Sequence, residues 1–270
     1  MVRDVTLGQY YPAESVIHRM DPRSKIIMLI AYIVLIFCTS NFYSLAIASI
    51  FTMLFILLSG VPIKIYVKSL KVIFVVVLLT SVINLFYGTG TPILEFGILK
   101  ITMNGIYRSI FVSIRIVCLI LVSSCLTFTT SPTELTDAIE RLMKPLNKIH
   151  FPVHEIAMMM TLALRFVPTI LEETDKIMQA QKSRGADMES GGMIKRVKAF
   201  IPILIPLFAS AFRRAIEVAT AMECRCYQGG TGRTRMKVIH MSKRDVLAFI
   251  SVGIVTCGVI ICNILVSPII

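Results

Sequence analysis

The sequence predicts an all-α membrane protein with about five transmembrane helices and a cytoplasmic region of long amphipathic helices. Apolar residues make up 56% of the chain, and the mean hydropathy is +0.78. A water-soluble chain of 270 residues could not bury that much apolar surface, so lipid has to be one of its solvents. The net charge is nevertheless +12. Lys and Arg of membrane proteins concentrate in cytoplasmic loops, so we expect the basic residues there. The apolar stretches leave little room for a soluble nucleic-acid-binding domain, so we expect no nucleic-acid partner.

Five apolar runs are long enough to cross a bilayer. The predicted spans are Lys25–Ser40, Phe42–Gly60, Lys71–Tyr87, Gly105–Phe128 and Val246–Val266. Only the small turn Thr39-Ser40-Asn41 separates the first two runs. These two spans are therefore expected to form a tight hairpin, or else one of them is tilted or partly re-entrant.

Loop charges set the orientation of these spans. Four basic residues lie before or at the start of the first span, and the predicted loop before the third holds Lys64, Lys68 and Lys71. The loop at 88–104 carries only Glu95 and Lys100. This alternation of basic and nearly uncharged loops predicts a multi-pass protein of the cell membrane, with the N-terminus in the cytoplasm and the C-terminus outside.

The segment 131–244 is predicted to be a cytoplasmic domain between the fourth and fifth spans. It carries 18 Lys and Arg against 11 Asp and Glu. Its two apolar stretches, Ile156–Ile170 and Val197–Phe212, have the length of buried or interfacial helices. A seven-span alternative passes both stretches across the membrane, but it exports the basic segment Glu172–Lys198 against the positive-inside trend. The chain thus divides into 1–24, 25–130, 131–244 and 245–270.

Three helices are predicted within 131–244. Ser131 can cap the first, with Pro132 in its first turn, and this helix is expected to run to about Lys148. The second begins near Val153 and continues to Ser183, and the third runs from about 192 to 224. Prolines inside the two long helices are predicted to act as fixed bends or hinges: Pro168, Pro202 and Pro206.

A short pattern is repeated without gaps at the ends of the two long helices, 41 positions apart. The copies are Ala180-Gln181-Lys182-Ser183-Arg184-Gly185 and Ala221-Met222-Glu223-Cys224-Arg225-Cys226. Each copy places one arginine between two small residues. A guanidinium offers a planar fork to carboxylates and carbonyls, and small neighbours let another backbone approach. A single such arginine would only complement the helix dipole, whereas two copies on two long helices indicate a paired docking device.

The N-terminal block resembles a known family signature. Its residues are Leu7-Gly8-Gln9-Tyr10-Tyr11-Pro12, Ser15 and His18-Arg19-Met20-Asp21-Pro22-Arg23-Ser24-Lys25, and the block is similar to the signature of T-components of energy-coupling-factor transporters. The two arginine-centred tripeptides resemble the pair of X-Arg-X motifs of that family, and the tail 227–235 is also similar to it. The resemblance covers essentially the whole chain in the family's order.

The resemblance implies a non-catalytic coupling subunit of an ATP-driven importer. Arg184 and Arg225, with Ser183, Gly185, Cys224 and Cys226 beside them, would each dock in a groove of one of two cytoplasmic ABC ATPase subunits. The domain 131–244 would also touch a substrate-binding membrane S-component, with several interchangeable S-components sharing one T-component. The chain would bind no cofactor itself, because ATP-Mg would belong to the partner ATPases. The second motif departs from the family pattern, since cysteines stand where small Ala or Gly residues are expected.

Two arginines of the fourth span, Arg108 and Arg115, lie seven residues apart and therefore on one helix face. Charge at membrane depth is costly and has to face protein or water. Contact with a partner subunit or a lipid phosphate is one interpretation. Snorkelling with internal pairing is the other, and the sequence does not separate them.

Other candidate sites are weak. Cys224-x-Cys226 has no second Cys/His pair nearby, so metal binding is disfavoured. Gly229-Gly230-Thr231-Gly232 lacks the Gly-Lys-Ser/Thr that completes a phosphate loop. Glu172-Glu173 is similar to the paired glutamates of intramembrane proteases, but all four histidines lie in predicted loop or cytoplasmic positions. An enzyme would need clustered His, Asp or Glu at membrane depth, and a substrate-holding permease would need a single docking region, so neither rival is preferred.

Overall fold

The computed structural model describes residues 10–86, 92–96, 99–186, 192–229 and 241–266, and these are mostly helical. The α-helices are α1 Pro22–Cys38, α2 Phe42–Ser59, α3 Ile63–Phe86, α4 Met103–Thr129, α5 Pro132–Met143, α6 Val153–Ser183, α7 Met193–Glu223 and α8 Lys243–Leu265. A 3₁₀-helix, Lys144–Ile149, follows α5, and two short strands, β1 Pro92–Phe96 and β2 Leu99–Thr102, precede α4. The predicted all-α fold is confirmed apart from this strand pair.

The described residues form two compact units. One contains the chain up to Ala138 together with α8, and the other contains the chain from Ile139 to the end of α7. The division falls between Ala138 and Ile139, inside α5, whereas the predicted division into membrane and cytoplasmic parts stays a prediction.

In the first unit, α4 packs against α1, α2 and α3, and α8 packs against α1 and α2. Its core has two clusters. One surrounds the aromatic pair Tyr66 and Phe128, whose rings meet edge to face with centroids 5.2 Å apart. The other surrounds Tyr32, Ile36 and Cys118. Only residues 39–41 separate α1 from α2, and the Tyr32 hydroxyl of α1 donates to the Ala48 carbonyl of α2 at 2.8 Å. The tight hairpin between these two spans stays a prediction.

A buried polar network ties the N-terminal signature block to this unit. The backbone N–H of Asp21, the N-cap of α1, donates to the Asp245 carboxylate of α8 at 2.9 Å. The same carboxylate accepts from the backbone N–H of Ser242 at 2.7 Å, closing a capping box at the start of α8. The Lys25 ammonium donates to the backbone oxygen of Thr129 at 2.8 Å. Residues of the signature block therefore join the starts of α1 and α8 to the end of α4.

The loop predicted between the second and third spans is wrong in its length. α3 begins at Ile63, so Lys64, Lys68 and Lys71 lie in its first turns instead of filling a loop. The lysine charges suggested a loop. A helix can carry them on one exposed face, however, because residues three and four apart share a side.

The segment 88–104 was predicted to be a plain loop, whereas part of it forms strands. β1 and β2 pair antiparallel, with Glu95 opposite Lys100 in the register. The only two charges of this segment thus occupy directly opposed positions.

The cap predicted at the start of α5 is confirmed, because the backbone N–H of Glu134 donates to the Ser131 hydroxyl at 3.3 Å. The predicted end near Lys148 is wrong for the α-helix, which stops at Met143 and continues as a 3₁₀ turn. Pro145 explains the change. It has no N–H to donate to the fourth residue before it, so the α-helical hydrogen bonding cannot continue.

By length and composition, six helices of the described residues could cross a membrane. They are α2, α3, α4, α6, the Lys198–Glu223 part of α7, and α8. Four of the five predicted spans are among them, and α1, with 17 residues, is not. The placement of α6 and α7 on the membrane surface instead of across it stays a prediction.

Candidate functional site

The two long helices of the second unit, α6 and α7, carry the repeated motifs. Both helices have 31 residues, which corresponds to a length of about 46 Å each. The predicted bounds, Val153 to Ser183 and 192 to 224, are confirmed to within one residue. Each helix runs as a single element through its internal prolines, Pro168 in α6 and Pro202 and Pro206 in α7. Their role as hinges stays a prediction.

Two backbone hydrogen bonds around Arg184, which do not follow the α-helical spacing of four residues, close the end of α6. The backbone N–H of Gly185 donates to the Lys182 carbonyl at 3.0 Å, and that of Ala186 donates to the Gln181 carbonyl at 3.0 Å. This is the Schellman arrangement, in which the residue after the cap adopts a left-handed conformation. Gly185 has φ +86°, which glycine adopts without steric cost.

The end of α7 is closed in the same way around Arg225. The backbone N–H of Cys226 donates to the Glu223 carbonyl at 2.8 Å, and that of Tyr227 donates to the Met222 carbonyl at 3.1 Å. Cys226, the counterpart of Gly185, has φ +56°. A residue with a Cβ costs roughly 1–2 kcal/mol in this conformation. The repeated sequence therefore makes a repeated backbone structure, and the second copy carries backbone strain that the first does not.

Both motif arginines are displayed to solvent. Arg184 and Arg225 are exposed, as are their small neighbours Ser183, Gly185, Cys224 and Cys226. Neither guanidinium makes a hydrogen bond or ion pair with any residue that the structure describes. Each arginine thus sits at the tip of a long helix with its donors free.

A polar lock joins α6 to α7 in the middle of the site. One carboxylate oxygen of Glu173 accepts from the Arg214 guanidinium at 2.9 Å, and the other accepts from the Ser210 hydroxyl. Ser210 and Arg214 are four residues apart, so they share one face of α7. The side chains of Glu173 and Arg214 are partly buried. Partial burial strengthens such a pair relative to one in open water.

A second tie uses a carbonyl that a proline leaves free. Pro206 has no N–H, so the carbonyl of Pro202, four residues earlier, lacks its helical donor. The side-chain amide of Gln181 donates to this carbonyl at 3.4 Å. Gln181 belongs to the first motif, so this hydrogen bond fastens the end of α6 to the early part of α7.

The two ties fix the direction of the helix pair. Glu173 of α6 contacts Arg214 of α7, and Gln181, which comes later in α6, contacts Pro202, which comes earlier in α7. The two helices therefore run antiparallel. Glu173 lies eleven residues before Arg184, and Arg214 lies eleven residues before Arg225. The two arginines therefore point away from the lock in opposite directions, each about 16 Å from it along its helix.

Sequence reasoning missed the lock. The sequence presents Glu173 only beside Glu172, as a protease-like pair. Glu172 is exposed, and only Glu173 reaches α7. The signal was available in the repeat, because Glu173 and Arg214 are separated by the same 41 positions as the two motif arginines.

α7 exposes an apolar stripe on the side opposite the lock. Its members recur at helical spacing and are all exposed: Ile201, Ile205, Phe208, Phe212 and Ile216. Ile203, on the lock side, is by contrast buried. Met159 and Met160 add exposed apolar surface on α6. A continuous exposed stripe of this kind is typical of a helix that meets lipid or another protein.

The two arginines of α4 are in different environments. The Arg115 guanidinium donates to the carbonyl oxygen of Thr39, the C-cap of α1, and lies 4.7 Å from the centre of the Phe111 ring. Its contacts are therefore internal. Arg108 is exposed and has no hydrogen bond or ion pair within the described part of the chain, so partner contact stays a prediction for this residue.

The remaining candidates gain nothing from the geometry. No group of three or more His, Cys, Asp or Glu side chains is arranged to hold a metal within the described ranges. Cys224 and Cys226 are free thiols. The glycine run from 230 to 232, the end of the tail at 235 and the first residues of the signature block lie outside the described residues.

Comparison with known proteins gives consistent relatives. The family of the cobalt transport protein CbiQ matches residues 13–238. The chain is 52% identical over 247 residues to the energy-coupling factor transporter transmembrane protein EcfT of Ruminiclostridium cellulolyticum, covering 92% of both chains. It is 48% identical to EcfT of Thermosediminibacter oceani over 257 residues, covering 95% of this chain and 97% of that one. For EcfT of Bacillus subtilis the identity is 43% over 252 residues, with 93% and 95% covered.

Proposed function

The chain belongs to the CbiQ family, as an EcfT-type transmembrane component of an energy-coupling factor transporter, and from that premise we propose that it couples two cytoplasmic ATPases to a substrate-binding membrane subunit. The chain itself performs no chemistry in this proposal. ATP and Mg²⁺ belong to the ATPases, and the substrate belongs to the third kind of subunit.

The observation that carries the proposal is the pair of matching helix ends. Arg184 and Arg225 sit at the tips of α6 and α7, both follow the same helix-closing geometry, and both guanidinium groups are free to bind. Two equivalent tips suit two similar ATPase subunits. Each guanidinium would satisfy carboxylates or backbone carbonyls in a groove of its ATPase.

The lock supplies a mechanism for transmitting movement. Glu173, Ser210 and Arg214 fasten the helices at equal distances from the two tips, so displacement of one tip is passed to the other helix. When the ATPases close on ATP and open after hydrolysis, their relative motion moves Arg184 and Arg225 and tilts the helix pair as a rigid body. The helix pair then reorients the subunit that holds the substrate.

The apolar stripe of α7 is the surface that we assign to the substrate-binding subunit. Its exposed side chains, Phe208 and Phe212 among them, face away from the lock and remain available. Met159 and Met160 offer an adaptable surface, because methionine is flexible and polarisable. Such a surface suits several interchangeable partners. The transported compounds would be vitamins or similar micronutrients, chosen by the substrate-binding subunit and not by this chain.

A detergent pull-down tests the assignment. The tagged chain is co-expressed with the ATPase pair and one substrate-binding subunit, as wild type and as the Arg184→Ala/Arg225→Ala double variant. We expect wild type to capture both ATPases and the double variant to lose them, while the substrate-binding subunit stays bound. Arg213→Ala is the matched control, because Arg213 is an exposed arginine of α7 outside the motif.

Two results would contradict the proposal. Capture of both ATPases by the double variant would show that the arginines are not the docking points. Loss of ATPases in the Arg213→Ala control as well would indicate a general charge effect instead of a motif. Uptake by cells that carry the double variant provides the functional readout, which should fall to the level without the chain.

A further inference from the structure

α3 presents a basic face that the coupling function does not use. Lys64, Lys68 and Lys71 occupy its first turns at the spacing that places three side chains on one face, and all three are exposed. They make no hydrogen bond or ion pair with any residue that the structure describes. From Val61 to Phe86 the sequence contains no Asp or Glu. The positive charge on this face is therefore not neutralised by its own helix.

An apolar track continues directly below the lysines on the same face. Helical spacing places Val75, Leu78, Leu79 and Val82 in line with Lys64, Lys68 and Lys71, and their exposed fractions are 69%, 52%, 58% and 44%. The opposite face packs against α4, where the Ser81 and Ser109 hydroxyls lie 2.7 Å apart and Tyr66 is the only buried residue of α3. The lysines and the apolar track thus share the open side of the helix.

The dimensions of this face match one phospholipid leaflet. Lys71 and Val82 are eleven residues apart, which is about 16 Å along a helix. Half of a hydrocarbon core of about 30 Å is close to that length. A headgroup phosphate beside the lysines would therefore place its acyl chains along the track down to the bilayer midplane.

We propose that the open face of α3 binds an anionic phospholipid, with the headgroup phosphate held by Lys64, Lys68 and Lys71 and the acyl chains lying on Val75, Leu78, Leu79 and Val82. Three cations favour a headgroup with net negative charge over a zwitterionic one. The proposal does not depend on the coupling function, because it uses neither α6 nor α7.

Native mass spectrometry of the full chain in detergent tests the site. The protein is titrated with long-chain phosphatidylglycerol, long-chain phosphatidylcholine, short-chain phosphatidylglycerol and inorganic phosphate. We expect phosphatidylglycerol with long chains to bind most tightly. At about 1 kcal/mol for each lysine near an anionic headgroup, the Lys64→Gln/Lys68→Gln/Lys71→Gln variant should need on the order of a hundredfold more of it for half-occupancy.

Two matched variants separate this site from total charge. Lys144→Gln/Lys148→Gln/Lys176→Gln removes the same charge from exposed positions elsewhere and should bind phosphatidylglycerol as wild type does. Replacing the three α3 lysines by arginine should retain binding. If the triple glutamine variant is not recovered, the three single variants are titrated, and each should weaken binding by a few-fold.

Several outcomes would overturn the proposal. Equal affinity of wild type for phosphatidylglycerol and phosphatidylcholine would show that charge does not select the lipid. Equal binding of inorganic phosphate or short-chain lipid would indicate a free-anion site without an acyl track. Equal weakening in the control variant would show that net charge, and not this face, attracts the lipid.

Discussion

Glu173 and Arg214 form an ion pair of 2.9 Å between α6 and α7, and each lies eleven residues before the arginine that ends its own helix. The pair therefore joins equivalent positions of the 41-residue repeat. An interaction at equivalent positions leaves the same length of helix between the ion pair and each terminal arginine. Equal lengths would allow two similar partners to displace the two helix ends symmetrically.

In the proposed complex, loss of the lock should uncouple transport from ATP hydrolysis without removing the ATPases. Glu173→Ala breaks the contacts to Ser210 and Arg214 but leaves both motifs intact. For a partly buried, charge-assisted interaction we expect a loss of about 1–2 kcal/mol in the free energy that holds α6 to α7. In proteoliposomes with partners, substrate uptake per ATP hydrolysed should fall several-fold while ATPase capture is retained.

Two variants make this prediction specific. Glu172→Ala is the neighbouring control, since Glu172 is exposed and has no hydrogen bond or ion pair within the described residues, and it should behave as wild type. The exchange Glu173→Arg/Arg214→Glu should restore part of the coupling that either single change removes. An uptake-to-hydrolysis ratio in Glu173→Ala equal to that of wild type would show that the lock does not transmit movement.

Backbone strain at Cys226 gives a second prediction. Its φ of +56° is unfavourable for a residue with a Cβ, so Cys226→Gly should stabilise the end of α7 by up to about 1 kcal/mol, after the entropy that glycine loses on folding. Slower amide hydrogen exchange at the end of α7 would measure the change. Cys226→Ala removes the thiol but keeps the strain, and it should leave exchange nearly as in wild type.

The first motif offers the reverse test. Gly185 has φ +86°, and a Cβ built there meets no atom within 4 Å. Gly185→Ala therefore adds backbone strain without a steric clash, and it should speed exchange at the end of α6. If Cys226→Gly and Gly185→Ala change exchange in the same direction, left-handed strain is not the cause.

Features encoded within a few residues were predictable from the sequence, and contacts between distant helices were not. The bounds of α6 and α7 were predictable because caps and apolar periodicity are encoded within a few residues. The start of α3 was mistaken because lysines on one helix face look like loop residues when they are read singly. The repeat relates Glu173 to Arg214, but no local pattern shows that the two side chains meet, since the contact depends on how two distant helices cross. Hydrogen bonding of Asp21 to Asp245, across most of the chain, was hidden for the same reason.

The start of α7 is expected to lie on the cytoplasmic side of the membrane. Both long helices are apolar enough to cross a bilayer, and the seven-span alternative would place Gly192 outside. Positive charge around this residue argues for the cytoplasm. We expect Gly192→Cys to react with a membrane-impermeant maleimide only after the cells are permeabilised. The substitution is tolerable, because Gly192 is exposed and an added Cβ meets nothing within 4 Å.

Labelling is compared with the parent chain, which contains seven cysteines of its own. Tyr43→Cys serves as the positive control, because Tyr43 is exposed beside the turn between α1 and α2, which is predicted to lie outside. Additional labelling of Gly192→Cys in intact cells would support the seven-span alternative. It would also remove α6 and α7 from the cytoplasmic surface.

Asp245 should be among the polar residues on which the first unit depends most. Its side chain is fully buried and accepts from the backbone N–H groups of Asp21 and Ser242, so it caps α8 and holds the start of α1 at once. Asp245→Ala leaves the Asp21 donor buried without its acceptor and removes a capping interaction. Together these losses should cost about 2–4 kcal/mol. A fall of several degrees in the midpoint of thermal unfolding in detergent would measure it. Asp245→Asn keeps one acceptor oxygen but turns an N–H toward a donor, so its loss of stability should be intermediate.

Glu155, an exposed acid in the first turn of α6, provides the control: Glu155→Ala removes only a favourable charge at a helix start and should change the midpoint of unfolding little. If the unfolding midpoint fell equally in Asp245→Ala and Glu155→Ala, helix-terminal charge would account for the effect. The buried connection between α1 and α8 would then contribute nothing measurable to stability.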